Sequence, residues 1–416
     1  MSFFTGLFSQ YRGLRKEIYV LCFGRVVTNL GSMVWPMLTM ILSQKLGLDA
    51  FTISVVMVGS MLIMLPASLL GGRLADKRNK KRVIVVCDSV SILCYLICAA
   101  VPLGYVSVGL MLVAGICQSM EWPSYNALVA DLTLTKDRER AYSLQYLAAN
   151  LGLVLSPTIA GVLFKNYLWL SFLISGVAIG LSTVLIALRI RDVTPVEDKS
   201  EAAAYQASDE GGSIWSVLRA NRVLLLYLLG GSLCGAAYSQ LSYLLPLDMG
   251  MVHGEDGALI YGTVSSLNCI IVVVFTPLIT RLFRKLCETR KLQAGILLMG
   301  TGSLLFLICM GVIPVYYAAM LVLTWGEVFC TIADGPYLTN RIPASHRGRI
   351  NSFSSVLSSV CYGACSLGVG WLYDNTGRIP SWALLVGMMA VSALLNAILI
   401  HKDRRAYPKL YANAES

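Results

Sequence analysis

The chain has 416 residues, of which 56% are hydrophobic and only 13% are charged, and its mean hydropathy is +0.69. A soluble domain carries about 25% charged residues, so this composition excludes an ordinary soluble protein. One crossing of the bilayer core takes about 20 apolar residues, so the length accommodates twelve membrane helices and no separate soluble domain. The net charge is +10, and the basic residues lie between apolar segments, which indicates membrane topology and not a nucleic-acid surface.

Apolar segments recur along the chain in two sets of six. The first set lies at about 17–43, 51–74, 83–101, 105–132, 139–164 and 167–189. The second set lies at about 222–246, 257–280, 293–312, 315–340, 348–373 and 380–400. The polar stretch 191–219 between them cannot form a packed core. We therefore predict an all-α membrane protein with twelve transmembrane helices, in which a cytoplasmic linker at 191–219 joins six-helix halves at 1–190 and 220–416.

Basic residues are confined to alternate loops. With both termini inside, every Lys and Arg falls in an inner segment except Arg25, Lys45, Lys165 and Arg378. The positive-inside rule then predicts cytoplasmic termini and an even number of helices. Compact loops without an N-x-[ST] acceptor favour a bacterial inner membrane, with a eukaryotic organelle as the alternative.

Sequence motifs of enzymes are missing. The sequence contains no HExxH, GxSxG or GxxxxGK[ST] pattern. The twelve cysteines fall almost entirely inside predicted spans, where nothing nearby in the sequence completes a metal site, so they are interpreted as packing residues. We predict that the protein is not an enzyme, needs no metal or cofactor, and draws any energy from an ion gradient.

Two kinds of sequence pattern point to a family. RERAYS at 138–143 is echoed by RGRINS at 347–352, as expected for a duplicated six-helix unit. GRLADKRNKK at 72–81 resembles the signature of the major facilitator superfamily between helices 2 and 3, with Asn79 in place of a glycine. Asparagine is the substitute that best tolerates a left-handed conformation. The stretches GSMVWP at 31–36 and GLVLSPTIAG at 152–161 are similar to further family patterns, the second to one of the drug/proton antiporter branch.

The resemblance implies the major facilitator fold, alternating access, and a central cavity lined by helices 1, 4, 7 and 10. The motif positions and the charges at predicted inner helix ends give candidate gating residues, whose ion pairs close the inner side. They are Gly72, Asp76, Arg78, Lys80, Asp131, Gly152 and Pro157. The alternative is a solvated inner surface that only sets topology.

Ionisable residues deep in the spans are costly in hydrocarbon and mark candidate functional sites. Glu327 is the predicted main proton carrier, followed by Glu121 and Asp334, and Arg25 is a candidate partner for Glu121. Candidate substrate-binding residues on the same helices are Arg25, Asn29, Gln118, Trp122, Tyr238, Gln240, Tyr243 and Trp325. The alternative for each is an ordinary role in helix packing.

The sequence therefore predicts a monomeric secondary transporter that exports a small amphiphilic or cationic molecule in exchange for protons, as in multidrug efflux. Its expected partners are the small-molecule substrate, protons and the lipid bilayer, and not nucleic acid. Two alternatives stay open: a proton-coupled importer or anion exporter that uses Arg25, and a transport-inactive receptor or scaffold of the same fold.

Overall fold

The computed structural model describes residues 13–77, 79–133, 135–190, 222–283, 285–309, 311–341, 344–408 and 411. All regular elements among these residues are helical. Ten helical segments in this part of the chain are long and apolar enough to cross a membrane, and one of them, Arg222–Leu282, is 61 residues long. The all-α membrane class is confirmed, whereas the number of twelve spans stays a prediction. The predicted linker at 191–219 lies outside the described residues.

Helices in the first part of the chain follow the predicted apolar segments. They are α1 Lys16–Leu30, α2 Leu38–Met40, α3 Ala50–Lys77, α4 Lys80–Ala100, α5 Tyr105–Asp131, α6 Thr135–Leu153, α7 Ser156–Phe164 and α8 Leu168–Arg189. A 3-10 turn at Trp35–Met37 precedes α2, and a π turn at Ile41–Lys45 follows it.

The second part of the chain repeats this arrangement of long apolar helices. They are α9 Arg222–Ser239, α10 Leu244–His253, α11 Gly257–Leu282, α12 Glu288–Ile308, α13 Ile313–Arg341, α14 Ala344–Thr376 and α15 Arg378–Ala406. The 3-10 turns Gln240–Ser242 and Gly254–Asp256 connect α9, α10 and α11.

Local chemistry explains the backbone conformation near Pro157 and at Asn79. The predicted fifth helix is divided into α6 and α7, because Pro157 lacks a backbone N–H and is accommodated in the first turn of α7. Asn79 does not adopt the left-handed conformation that asparagine tolerates: its φ is −63° and its ψ is 115°. Its side chain instead accepts a hydrogen bond from the Arg82 backbone N–H at 3.3 Å, so Asn79 is the N-cap of α4.

The described helices form two compact units. Unit 1 falls within Met1–Gly47, Gly59–Lys199 and Gly254–Cys269. Unit 2 falls within Leu48–Val58, Ser200–His253 and Ile270–Ser416. The first residues of α3 thus belong to unit 2, and the first half of α11 belongs to unit 1. The predicted halves 1–190 and 220–416 stay a prediction.

Each unit has its own apolar core, and small residues bring its helices close together. In unit 1 the core includes Ile18, Ile84, Leu128 and Ile186. In unit 2 it includes Leu228, Leu292, Ile350 and Leu399. A Cβ atom added at Gly152 of α6 would lie 2.5 Å from the Val26 carbonyl oxygen of α1. Glycine is therefore required there for the helices to approach.

Candidate functional site

A cavity of about 280 Å³ lies inside unit 2, among α9, α12, α13 and α15. Its polar lining residues are Tyr227, Tyr238, Glu327, Thr331, Asp334 and Asn396. Leucine, isoleucine, methionine, cysteine and glycine residues form the rest of the wall, and no Lys, Arg or His occurs among its described lining residues. The cavity therefore combines two carboxyl groups with an otherwise apolar and neutral wall, which suits a small cationic or protonatable ligand.

Two of the predicted proton-carrying residues, Glu327 and Asp334, lie in this cavity. They are seven positions apart on α13, so they share one face of the helix. The Tyr227 hydroxyl of α9 donates a hydrogen bond to the Asp334 carboxylate. Tyr238, a predicted substrate-binding residue, also lines the cavity. The structure thus brings together three residues that the sequence assigned to proton coupling and binding.

Tyr227 connects the cavity to a buried ion pair. Its ring stacks on that of Tyr337 with 4.2 Å between the centroids. The Tyr337 hydroxyl donates to Asp403 at 3.2 Å, and Arg341 binds the same carboxylate through Nε at 2.9 Å and Nη2 at 2.7 Å. The side chains of Arg341 and Asp403 are 2% and 0% exposed, so this pair is removed from solvent. It lies at the helix ends that the sequence predicts to be cytoplasmic.

Unit 1 contains a second group of buried ionisable residues. The Arg25 guanidinium lies over the Trp122 ring, 4.3 Å from its centroid, and 5.4 Å from that of Tyr125. Within the described residues Arg25 makes no ion pair with Glu121 within 4.0 Å, and its Nε has no hydrogen-bond partner. The candidate Arg25–Glu121 pair is therefore not formed, since the guanidinium packs on aromatic rings instead.

The remaining predicted binding residues make specific contacts within the units. Asn29 donates to the Ala149 carbonyl at 3.0 Å, and Gln118 donates to the Tyr95 hydroxyl at 3.3 Å. Gln240 is fully buried and donates to Ser366 at 3.0 Å. The assignment of these three residues to substrate binding remains a prediction.

Two aromatic residues of the predicted binding set lie in unit 2 outside the lining of the cavity. The Tyr243 hydroxyl donates to the Ala50 carbonyl at 2.5 Å, so Tyr243 secures the start of α3. Trp325 is 38% exposed and packs against Phe275, with 5.7 Å between ring centroids. Their role in substrate binding stays a prediction.

Candidate gating residues are placed only in part. Lys80 and Asp131 form an ion pair of 2.7 Å, which joins the start of α4 to the end of α5. Arg78 and the side chain of Asp76 lie outside the described residues. A Cβ atom on Gly72 would have no neighbour within 4 Å among the described atoms, so no close approach requires glycine there. The gating roles remain predictions.

Three residues in or near the candidate sites were not predicted from the sequence. Asp88 of α4 is 8% exposed and accepts a hydrogen bond from the Thr183 hydroxyl at 2.7 Å. An acidic residue inside an apolar span is itself a signal, which would have identified Asp88. Tyr227 and Asn396 carried no such signal, because neither the depth nor the facing of a polar side chain follows from residue type.

Comparison with known proteins agrees with this architecture. The family model described as Major Facilitator Superfamily matches residues 21–364. The chain is 24% identical over 398 residues to a Na(+), Li(+), K(+)/H(+) antiporter from Planococcus maritimus, which covers 86% of this chain and 90% of the relative. It is 26% identical over 308 residues to an uncharacterised transporter of the major facilitator type from Bacillus subtilis strain 168, and the match covers 74% of this chain and 73% of the relative.

Solved structures share the fold at low sequence identity. A POT family transporter in complex with 5-aminolevulinic acid has a TM-score of 0.74 and 15% identity, covering 96% of this chain and 97% of that chain. A POT family transporter in complex with a thioalcohol-conjugated peptide has a TM-score of 0.76 and 14% identity, covering 96% and 99%. With the family model matching most of the sequence, the chain belongs to the Major Facilitator Superfamily of multi-pass membrane transporters.

Proposed function

We propose that the protein is a monomeric, proton-coupled exporter of a small cationic or amphiphilic molecule in a bacterial cell membrane, with both termini in the cytoplasm. The observation that carries this proposal is the cavity of unit 2, whose wall contains Glu327 and Asp334 and, among its described lining residues, no basic side chain. A carboxylate binds either a proton or a cationic group, so the two ligands compete for one site. That competition is the minimum requirement for antiport.

The size of the cavity favours a small cargo. Its volume of about 280 Å³ is near the lower end of the range of about 300–1,000 Å³ that ligand pockets occupy. Leu226, Ile296 and Met299 supply apolar contact, while the aromatic ring of Tyr238 suits a cationic amine. The relative from Planococcus maritimus is named for exchange of alkali cations with protons, which supports a cationic cargo and includes alkali cations among the candidates.

An anionic cargo is the second candidate, and Arg25 favours it. Its guanidinium lies on Trp122, and its Nε has no hydrogen-bond partner within the described residues. An anion that reached this group would satisfy it by charge-assisted hydrogen bonds. A flux assay in proteoliposomes with alkali cations, small amines and small carboxylates separates the two candidates. If none of these compounds is transported, the result supports a receptor or scaffold.

The variant Glu327→Gln tests the proposed proton site. Glutamine has the shape of protonated glutamic acid but cannot release a proton. We expect inverted vesicles with this variant to lose accumulation driven by an imposed pH gradient, while exchange of labelled for unlabelled cargo continues at higher cargo concentrations, because Asp334 still supplies a carboxylate to the cavity. Glu255→Gln is the matched control, because Glu255 pairs with Lys165 in a contact that is about half exposed, and neither residue is among the described lining of the cavity. Intact pH-driven accumulation in Glu327→Gln would move the proton site to Glu121 or Asp334.

A further inference from the structure

Four sulfur atoms meet where α9, α12, α13 and α15 approach one another. The Cys234 Sγ atom lies 4.0 Å from the Met299 Sδ atom and 3.7 Å from the Met389 Sδ atom. The Cys330 Sγ atom lies 3.9 Å from the same Met299 sulfur. Both cysteines are free thiols. Two thiols and two thioethers, one from each of four helices, therefore form a single cluster, here called the sulfur cluster.

The sulfur cluster is buried but reachable from the cavity. Cys234, Met299 and Met389 are 6%, 4% and 2% exposed. Cys234, Met299 and Cys330 line the cavity, so three of the four sulfurs border the space that a ligand enters. The carboxyl groups of Glu327 and Asp334 line the same space. A cation in the cavity would therefore contact both sulfur ligands and carboxylate groups.

The spacing of the sulfurs suits a single metal ion. With a metal–sulfur bond of about 2.3 Å, the length of zinc–thiolate bonds, ligating sulfurs lie about 4.0 Å apart in a trigonal site and about 3.8 Å apart in a tetrahedral one. The three measured separations, 3.7, 3.9 and 4.0 Å, join the sulfurs in the order Met389, Cys234, Met299, Cys330 and lie within about 0.1 Å of these values. A bound ion would require these side chains to rotate so that the sulfurs face a common centre.

The ligand types select the metal. Thiolate and thioether sulfur together favour Cu(I), whereas zinc sites are built from cysteine, histidine and carboxylate ligands. We propose that Cys234, Met299, Cys330 and Met389 form a binding site for Cu(I) inside unit 2.

Binding exchanges protons and not electrons. Each Cu(I)–thiolate bond that forms replaces one S–H bond and releases one proton, so the ion remains Cu(I) and the affinity rises with pH. The released proton passes to a neighbouring carboxylate or to water in the cavity. The thioether sulfurs of Met299 and Met389 bind without losing a proton.

Anaerobic titration with Cu(I) in competition with a chromophoric Cu(I) chelator tests the site in the purified, full-length protein. We expect the wild type to hold one equivalent that Cys234→Ser loses, with a dissociation constant weakened at least about 100-fold, since even indirect partners of a metal contribute 10- to 100-fold. Met299→Leu, which keeps the side-chain volume, is expected to weaken binding in the same direction. X-ray absorption is expected to show only sulfur neighbours.

The matched control is Cys365→Ser. Cys365 contacts one thioether, that of Met388 at 3.5 Å, and lies outside the lining of the cavity. It is expected to retain the bound equivalent, and gel filtration and metal-free thermal unfolding check that all variants are folded. The proposal is overturned if Cys234→Ser and Met299→Leu, both folded, bind Cu(I) as tightly as the wild type. Equal loss in Cys365→Ser, or nitrogen and oxygen neighbours at the metal, would also overturn it.

Discussion

Removal of Asp403 is expected to destabilise unit 2 strongly, because it leaves the buried cation of Arg341 with only a more distant carboxylate. The Arg341 side chain is 2% exposed, and that remaining carboxylate, of Glu288, lies 3.6 Å away. Asp403 also accepts hydrogen bonds from the hydroxyls of Tyr337 at 3.2 Å and Tyr411 at 2.7 Å. Breaking a buried pair on one side costs about 3–5 kcal/mol. This corresponds to a decrease of about 100- to 4,000-fold in the ratio of folded to unfolded protein.

Equilibrium unfolding of Asp403→Leu in detergent measures this loss. The double variant Asp403→Leu with Arg341→Met is expected to recover part of this loss, because it also removes the buried cation, while the hydroxyls of Tyr337 and Tyr411 still lose their shared acceptor. As a control, Glu255→Gln removes a contact between side chains that are 54% and 55% exposed, for which at most about 1 kcal/mol is expected. A loss below about 1 kcal/mol in Asp403→Leu alone would refute the reasoning, as would a double variant no more stable than the single one.

Three further predictions concern topology, gating and packing. Asn79→Cys should react with impermeant maleimide only from the cytoplasmic side, and labelling only from outside would reverse the topology. Asp131→Asn should slow transport at unchanged expression, because it removes the 2.7 Å ion pair with Lys80 at the end of α5. Asp137→Asn, which removes the ion pair with Arg140 one helical turn away, should not slow transport. Equal transport rates in both variants would mean that Asp131 has no gating role. Gly152→Leu should lower the free energy of unfolding by about 1–3 kcal/mol through overpacking. Gly72→Leu should not, because a Cβ atom at Gly72 meets no described atom within 4 Å. Equal stability of these two variants would contradict the packing argument.

Hydropathy was sufficient to predict most of the secondary structure. The apolar segment predicted at 83–101 is a helix at Lys80–Ala100, and the one predicted at 105–132 is a helix at Tyr105–Asp131. Long uninterrupted apolar runs leave few alternatives in a membrane, where each backbone polar group must be bonded internally. The division at Pro157 was not anticipated, because a proline in a membrane helix can kink it without ending it.

The site was harder to predict, because a span fixes the depth of a residue but not its direction. Glu327 and Asp334 share a cavity as their seven-residue spacing allows, but Arg25 and Glu121 do not pair although their predicted depths are similar. The partners of the buried acids are distant in sequence: Tyr227 binds Asp334 across 107 positions, and Thr183 binds Asp88 across 95. Such contacts depend on helix rotation, which one sequence does not determine.

Proton movement during transport is the decisive measurement of antiport. In proteoliposomes with an internal pH-sensitive dye and no imposed gradient, addition of a transported cation to one side should move protons in the opposite direction. We expect this signal to be present for the wild type and absent for Glu327→Gln, although Glu327→Gln still exchanges labelled cargo. Cargo flux in the wild type without any change in internal pH, under conditions that dissipate the membrane potential, would contradict proton-coupled antiport.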